Sequence, residues 1–275
     1  VTIANSTISG NTATGSSGGG GLYVYTSATR NNVTISDNTS NGSGGGMRTA
    51  GTSPLNGVTI AGNVAANSGG GLYVSGVAAN VANTIIADNT AATGPDCYST
   101  STKLASQGYN LVADVTGCPV TGDPTGNLAG VDPLLGALGS NGGVTQTRAL
   151  GNSSPAINAA NPATAGGAFP ACNLTDGRGI SRTAPAAGRC DMGAFETQGA
   201  PPVVKKPLAF LALGVLGPGS SGATRVRVKW SATDADGITG YTVQRRTNSG
   251  AWTGVTLATP TDTQIILPLV TASTH

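Results

Sequence analysis

Apolar residues recur along the first hundred positions in short alternating runs, separated by Gly, Asn and Ser, and the runs return at a fixed interval. One nine-residue phrase appears four times: Asn5-Ser-Thr-Ile-Ser-Gly-Asn11-Thr-Ala13, Asn32-Val-Thr-Ile-Ser-Asp-Asn38-Thr-Ser40, Gly57-Val-Thr-Ile-Ala-Gly-Asn63-Val-Ala65 and Asn83-Thr-Ile-Ile-Ala-Asp-Asn89-Thr-Ala91. Its inner Asn returns at steps of 27, 25 and 26 residues. A second phrase keeps the period: Gly19-Gly-Gly-Leu-Tyr-Val24, Gly44-Gly-Gly-Met-Arg-Thr49 and Gly69-Gly-Gly-Leu-Tyr-Val74. Continued at the same step, Cys97-Tyr98 takes the place of Gly71-Leu72, and the regular pattern ends there. Alternating β-formers between turn residues predict strands, whereas helical repeats need an amphipathic 3.6-residue spacing and few glycines. Coils of ~25 residues, each rising about 4.8 Å, predict a parallel β-solenoid.

Alternation places Ile8, Ile35, Ile60 and Ile86 inside as one aliphatic column, with Ser6, Val33, Val58 and Thr84 beside them. Leu22, Met47 and Leu72 form a second column, extended by Val24, Thr49 and Val74. Asn11, Asn38, Asn63 and Asn89 share one turn position, where amides can bond up and down the stack and Asn tolerates a left-handed backbone. The triple glycines suit corners where a Cβ would clash.

Composition sharpens this picture. Gly is 43 of 275 residues and charged residues are 9%, yet the regularly spaced Val and Ile argue against a disordered tail. A net charge of +2, with no basic cluster beyond Lys205-Lys206, offers no footprint for nucleic acid. The four cysteines lack CxxC spacing and the single histidine is His275, so no zinc site or other cofactor site is expected. Four cysteines permit three connectivities, of which two local bridges, Cys97–Cys118 and Cys172–Cys190, are the better reading. Each loop would contribute on the order of 3 kcal/mol and implies an oxidising compartment. The longest apolar run, 208–216, is too short to span a bilayer. The chain opens inside a repeat, which is the expectation for a piece of a larger secreted protein.

Residues 1–197 resemble the choice-of-anchor Q family of bacterial surface proteins. The resemblance rests on Asp96-Cys97, Gly108-Tyr-Asn-Leu111, Gly117-Cys118, Asp132-Pro-Leu-Leu-Gly136, Asn141-Gly-Gly143 and Thr147-Arg-Ala-Leu150. It continues through Ser153-Ser-Pro-Ala-Ile-Asn158, Asp176-Gly-Arg-Gly179, Arg182 and Cys190-Asp-Met-Gly-Ala-Phe-Glu196. It implies a right-handed parallel β-helix, export and attachment through varied C-terminal anchors, and it does not imply a known enzymatic activity. In this reading 172–196 is a disulfide-stapled cap over the last coil, where Asp176, Arg178, Arg182, Asp191 and Glu196 form ion pairs. The competing reading of those residues is an acid/base cluster.

Residues 198–207 read as a proline-rich linker and 208–275 as a partial β-sandwich. Trp230 on the run 225–231, followed by Tyr241-Thr-Val-Gln-Arg-Arg246, resembles the first half of a fibronectin type III module. Asp234 and Asp236 could hold calcium, but with only two carboxylates in a tight loop a plain turn is the better reading.

Three functions fit: a structural or adhesive ectodomain of the cell surface, a filament or layer subunit stacking through exposed coil ends, and a polysaccharide lyase or hydrolase. The outward strip Tyr23, Tyr25, Arg48 and Tyr73 would suit glycans, other surface proteins or copies of the chain, or simply cover a sheet face. For the enzyme, the acids of the regular coils are Asp37 and Asp88, at the same turn two coils apart, ~10 Å, with a glycine between them. That is too far for retaining hydrolysis. The structural reading is favoured over catalysis.

Overall fold

The computed structural model describes residues 1–100, 104–182 and 189–198, together with the backbone of the strands Val203–Ala212, Arg225–Thr233, Val243–Arg245, Thr253–Val255 and Gln264–Pro268. The chain divides into two units, Val1–Thr197 and Gln198–His275. The first is a parallel β-solenoid. Thr2–Ser9 pairs with Thr29–Ser36, and the stack continues through Leu55–Asn56 and Thr59–Ala61, Ala79–Ala82 and Ile85–Ala87, Leu104–Gln107 and Leu111–Val112, and finally Val120–Asp123 and Leu128–Ala129. A second parallel sheet stacks Leu22–Val24, Met47–Thr49, Leu72–Val74 and Cys97–Ser99. A short third sheet stacks Thr12–Ala13, Thr39–Ser40 and Val64–Ala65.

Register is set residue by residue. Ile8 lies beside Ile35, Ile35 beside Ile60, and Ile60 beside Ile86, so the predicted aliphatic column runs through the interior. Ile35, Met47, Leu55, Ile60, Leu72 and Val74 are fully buried in one core cluster. Such columns hold because a one-residue slip would turn every interior side chain outward. The first sheet bends at a left-handed residue in coil after coil: Asn5, Asn32, Gly57, Asn83, Tyr109 and Gly126 all have φ between 46° and 65°. Asn and Gly dominate there because they accept positive φ cheaply.

The asparagine ladder forms as the sequence suggests. Asn11 Nδ2 donates to Asn38 Oδ1 at 2.9 Å, Asn38 to Asn63 at 2.9 Å and Asn63 to Asn89 at 2.9 Å. Each amide of Asn38, Asn63 and Asn89 also donates to the carbonyl of Ile8, Ile35 or Ile60 one coil below. The third glycine of each triplet makes room for this ladder. A Cβ on Gly46 would stand 2.9 Å from the Asn63 amide carbon and nitrogen, and one on Gly71 2.6 Å from that of Asn89.

Three expectations shift. Cys97 pairs with Leu72 and Tyr98 with Tyr73, not with Gly71 and Leu72, because the loop after Asn89 is one residue shorter than the loop after Asn63. The coiling also continues past Cys97, through the strands at 104–112 and the abbreviated 17-residue step from Leu111 to Leu128. And the described part of 134–197 does not lie over the last coil. It runs back along the flank of the solenoid as a strap, with the Thr7 hydroxyl donating to the Gln146 carbonyl at 2.5 Å and the Gly193 amide to the Asn83 carbonyl at 2.7 Å. The outward faces of the coils explain this. Thr7, Thr34 and Thr59 give way at the same register to Ile85, Leu111 and Leu128. That outward apolar stripe builds a second core with Leu150, Ala156, Ala160 and Met192 of the strap, and removing it from water favours the strap's place on the flank.

The second unit is antiparallel where described. Arg225–Thr233 lies between Val203–Ala212 and Gln264–Pro268, and Val243–Arg245 pairs with Thr253–Val255. The expected linker 198–207 therefore ends early: 203–207 belong to a strand, with Pro207 at the register shift between Lys205 and Leu208, a position that tolerates a missing amide donor.

Candidate functional site

The outward face of the second sheet carries the strip singled out above. One side chain per coil stacks on the next: Tyr23, Arg48, Tyr73 and, added by the register, Tyr98. The Arg48 guanidinium carbon sits 5.4 Å from the Tyr23 ring centre and 5.2 Å from that of Tyr73. Tyr73 and Tyr98 stack at 5.7 Å with rings 5° from parallel. Tyr25 meets Tyr23 edge-on at 6.2 Å and is 75% exposed. Within the column the aromatic faces are spent on one another, so the column presents its edges. Arg48 Nη1 donates to the Ser17 carbonyl at 3.0 Å, and its Nε is buried with no partner among the described residues.

The charged cluster at 176–196 is built as acceptors and donors for the strap itself. Asp176 accepts from the amides of Arg178 and Ile180 through one oxygen, and from the Glu196 amide and the Arg178 side chain through the other. Arg178 also donates to the carbonyls of Asn141 and Glu196 and lies over the Phe195 ring at 3.8 Å. Arg182 donates to Glu196 Oε2 at 2.7 Å and to the carbonyls of Asp191 and Gly193. Asp191 accepts from Asn158 and Thr197. All five side chains are buried. Burial pushes the Glu196 carboxyl up to about 7, beyond what Arg182 pulls back, and raises Asp191 in the same sense. Both oxygens of Asp176 and of Asp191, and Oε2 of Glu196, accept hydrogen bonds from the strap, as buried polar groups generally do.

Asp37 and Asp88 occupy a left-handed corner shared with Gly10 and Gly62, with φ of 57°, 58°, 67° and 72°. Asp, like Gly, is tolerated in that conformation, which explains their placement without chemistry. Arg148 of the strap reaches between them over Gly62. It donates to Asp37 Oδ1 at 2.5 Å and to Ser36 Oγ at 2.7 Å, while the Asp88 carboxyl is raised by burial and by Asp132 and lowered by Arg148. Sequence reasoning missed Arg148, since nothing local in Thr147-Arg-Ala-Leu150 announces a partner over a hundred residues away.

Asp96 was also missed. It stands in the glycine column, where its Oδ1 accepts from both the backbone and the side-chain nitrogen of Asn89, at 3.1 and 3.0 Å, and its Oδ2 from the Asp114 amide. An acceptor-only side chain thus ends the ladder, although burial raises its pKa.

The two disulfides are those expected, Cys97–Cys118 and Cys172–Cys190. Cys118 also borders a cavity of about 320 Å³ beside the last coil, lined by Val112, Val115, Pro119, Val120 and Leu128 among others. Asp234 and Asp236, the calcium candidates, lie outside the described residues. No helix is long and apolar enough to cross a membrane among the described residues. In comparison with known proteins, no family model, no curated protein and no solved structure matches this chain.

Proposed function

We propose that the chain is a stiff, non-enzymatic segment of an extracellular or surface-attached structural protein, serving to display or space what it carries. The observation that supports this best is the unbroken stacking of like on like. Interior isoleucines and the asparagine ladder each repeat at one register through successive coils, and the outward column Tyr23–Arg48–Tyr73–Tyr98 keeps the same register. Neighbouring coils then resist bending because each column would have to shear as a whole. The strap adds a second core and the two disulfides add crosslinks suited to an oxidising compartment. The resemblance of residues 1–197 to choice-of-anchor Q proteins, and of the second unit to fibronectin type III modules, supports export and surface attachment.

Two measurements test this. Under oxidising conditions 1–197 should melt cooperatively and resist proteolysis, with a lower midpoint once reductant is added. Incubation with uronate polymers should leave them intact. Chain cleavage that disappears in Asp37→Ala or Asp88→Ala would replace the structural reading with the lyase or hydrolase.

A further inference from the structure

We infer that the Tyr23–Arg48–Tyr73–Tyr98 column, with Tyr25 at its lower end, binds an extended acidic polysaccharide of the uronate class along the solenoid axis. The inference rests on the structural reading above and extends it from spacing to adhesion. Arg48 carries a positive charge that none of the ion pairs among the described residues compensates: these join Arg148 to Asp37, Arg178 to Asp176 and Arg182 to Glu196. Its guanidinium is clamped between two rings, and of its nitrogens only Nη1 has a hydrogen-bond acceptor among the described residues. A cation already fixed in place loses little freedom when an anion arrives. Nε is buried and Nη1 is engaged, so Nη2, without a hydrogen-bond partner among the described residues, is the nitrogen left to receive a carboxylate oxygen.

The flanking residues select a sugar polymer over other anions. The column places one phenol or guanidinium edge on each coil, about 4.8 Å apart. A pyranose in an extended chain advances by a similar length, so consecutive residues can each meet one hydroxyl or the guanidinium. Tyr25 stands outside the stack and is largely exposed, so its face is free for the apolar side of a sugar ring. A duplex or single-stranded nucleic acid would need several cations along this line, and the strip has one. An acidic peptide would satisfy Arg48 but would leave the hydroxyl edges and the Tyr25 face unused.

The test uses the full chain and three probes: polygalacturonate, its methyl-esterified neutral form, and poly-glutamate. Affinity electrophoresis and calorimetry should show binding to polygalacturonate that weakens with added salt, and little binding to the esterified polymer. Arg48→Ala should weaken it about tenfold or more, the loss of one charge-assisted contact, and Arg48→Lys should recover part of it. Tyr25→Ala, at an exposed position, should weaken binding with an unchanged melting temperature. The inference is overturned if the folded wild-type chain ignores polygalacturonate, if Arg48→Ala binds it as well as wild type, or if poly-glutamate binds more tightly. Those results leave the structural reading standing. Cleavage of the polymer would instead sink that reading.

Discussion

Arg30 lies in an interior column of the solenoid, with Ile3 beside it one coil below and Leu55 one coil above. It is 0% exposed, and none of its three guanidinium nitrogens has a hydrogen-bond partner among the described residues. Burial lowers its pKa from the ordinary arginine value to about 10. A shift of that size corresponds to about 3 kcal/mol of unfavourable desolvation of the charged form. Because 10 is still well above neutrality, Arg30 is charged in both folded and unfolded chains at pH 7. The penalty is therefore constant below about pH 10 and relaxes only as pH climbs from there toward the ordinary arginine range. Arg30→Met removes the charge and keeps an unbranched chain able to fill the same space. Allowing about 1 kcal/mol for imperfect packing, the net gain is about 2 kcal/mol. For a unit of nearly two hundred residues that raises the melting midpoint by about 4–8 °C. Thermal unfolding at pH 7, followed by circular dichroism or calorimetry, reads it directly. Leu55→Ala in the next coil serves as a control and should cost about 2–5 kcal/mol. A melting point that stays put or falls in Arg30→Met would refute the reasoning, since it would mean the guanidinium has a favourable partner in solution.

Glu196 has a folded-state pKa of about 7, above its ordinary 4.5, so the native state holds its proton more tightly than the unfolded one. Its contribution is full below about pH 4.5 and is lost as pH rises through 7, by up to about 3 kcal/mol; melting curves from pH 5 to 8 should show the decline, and Glu196→Gln should flatten it. Asn63→Ala leaves the buried Asn38 backbone amide without its acceptor and takes one partner each from Asn38 Nδ2, Asn89 Oδ1 and the Ile35 carbonyl, so denaturant titration should show a loss of about 1–3 kcal/mol, against less than about 1 for exposed Asn11→Ala. Gly62→Ala would set a Cβ 2.4 Å from Arg148 Nη2 and 2.5 Å from Asp37 Oδ1 at a φ of +72°, a loss of about 1–3 kcal/mol, with faster proteolysis where the strap is released from the coils.

Much of the fold was legible because a solenoid writes its contacts into its period. Once the phrase ending at Asn11, Asn38, Asn63 and Asn89 is seen, the isoleucine column, the amide ladder and the tyrosine strip follow from counting, since each residue's neighbour is its own counterpart one coil away. The two disulfides were within reach for a related reason, each closing a short loop of the chain. The one-residue slip at Cys97 shows where counting fails: a loop can lose a residue without disturbing the strand after it.

What lies outside the period was decided only by the tertiary structure. The strap is irregular, and its contacts join residues a hundred or more positions apart, as in Arg148 with Asp37 and Asn32 with Thr175. The change from Thr59 to Ile85 to Leu111 is visible in the sequence, but an outward apolar residue has no assigned partner until the chain returns to cover it. The charged residues at 176–196 could be named from composition, whereas their burial and engagement depend on that same return. Local repetition determines the coils because their contacts are with themselves. The flank is determined by packing between unlike segments, and no spacing along the chain encodes which of them will meet.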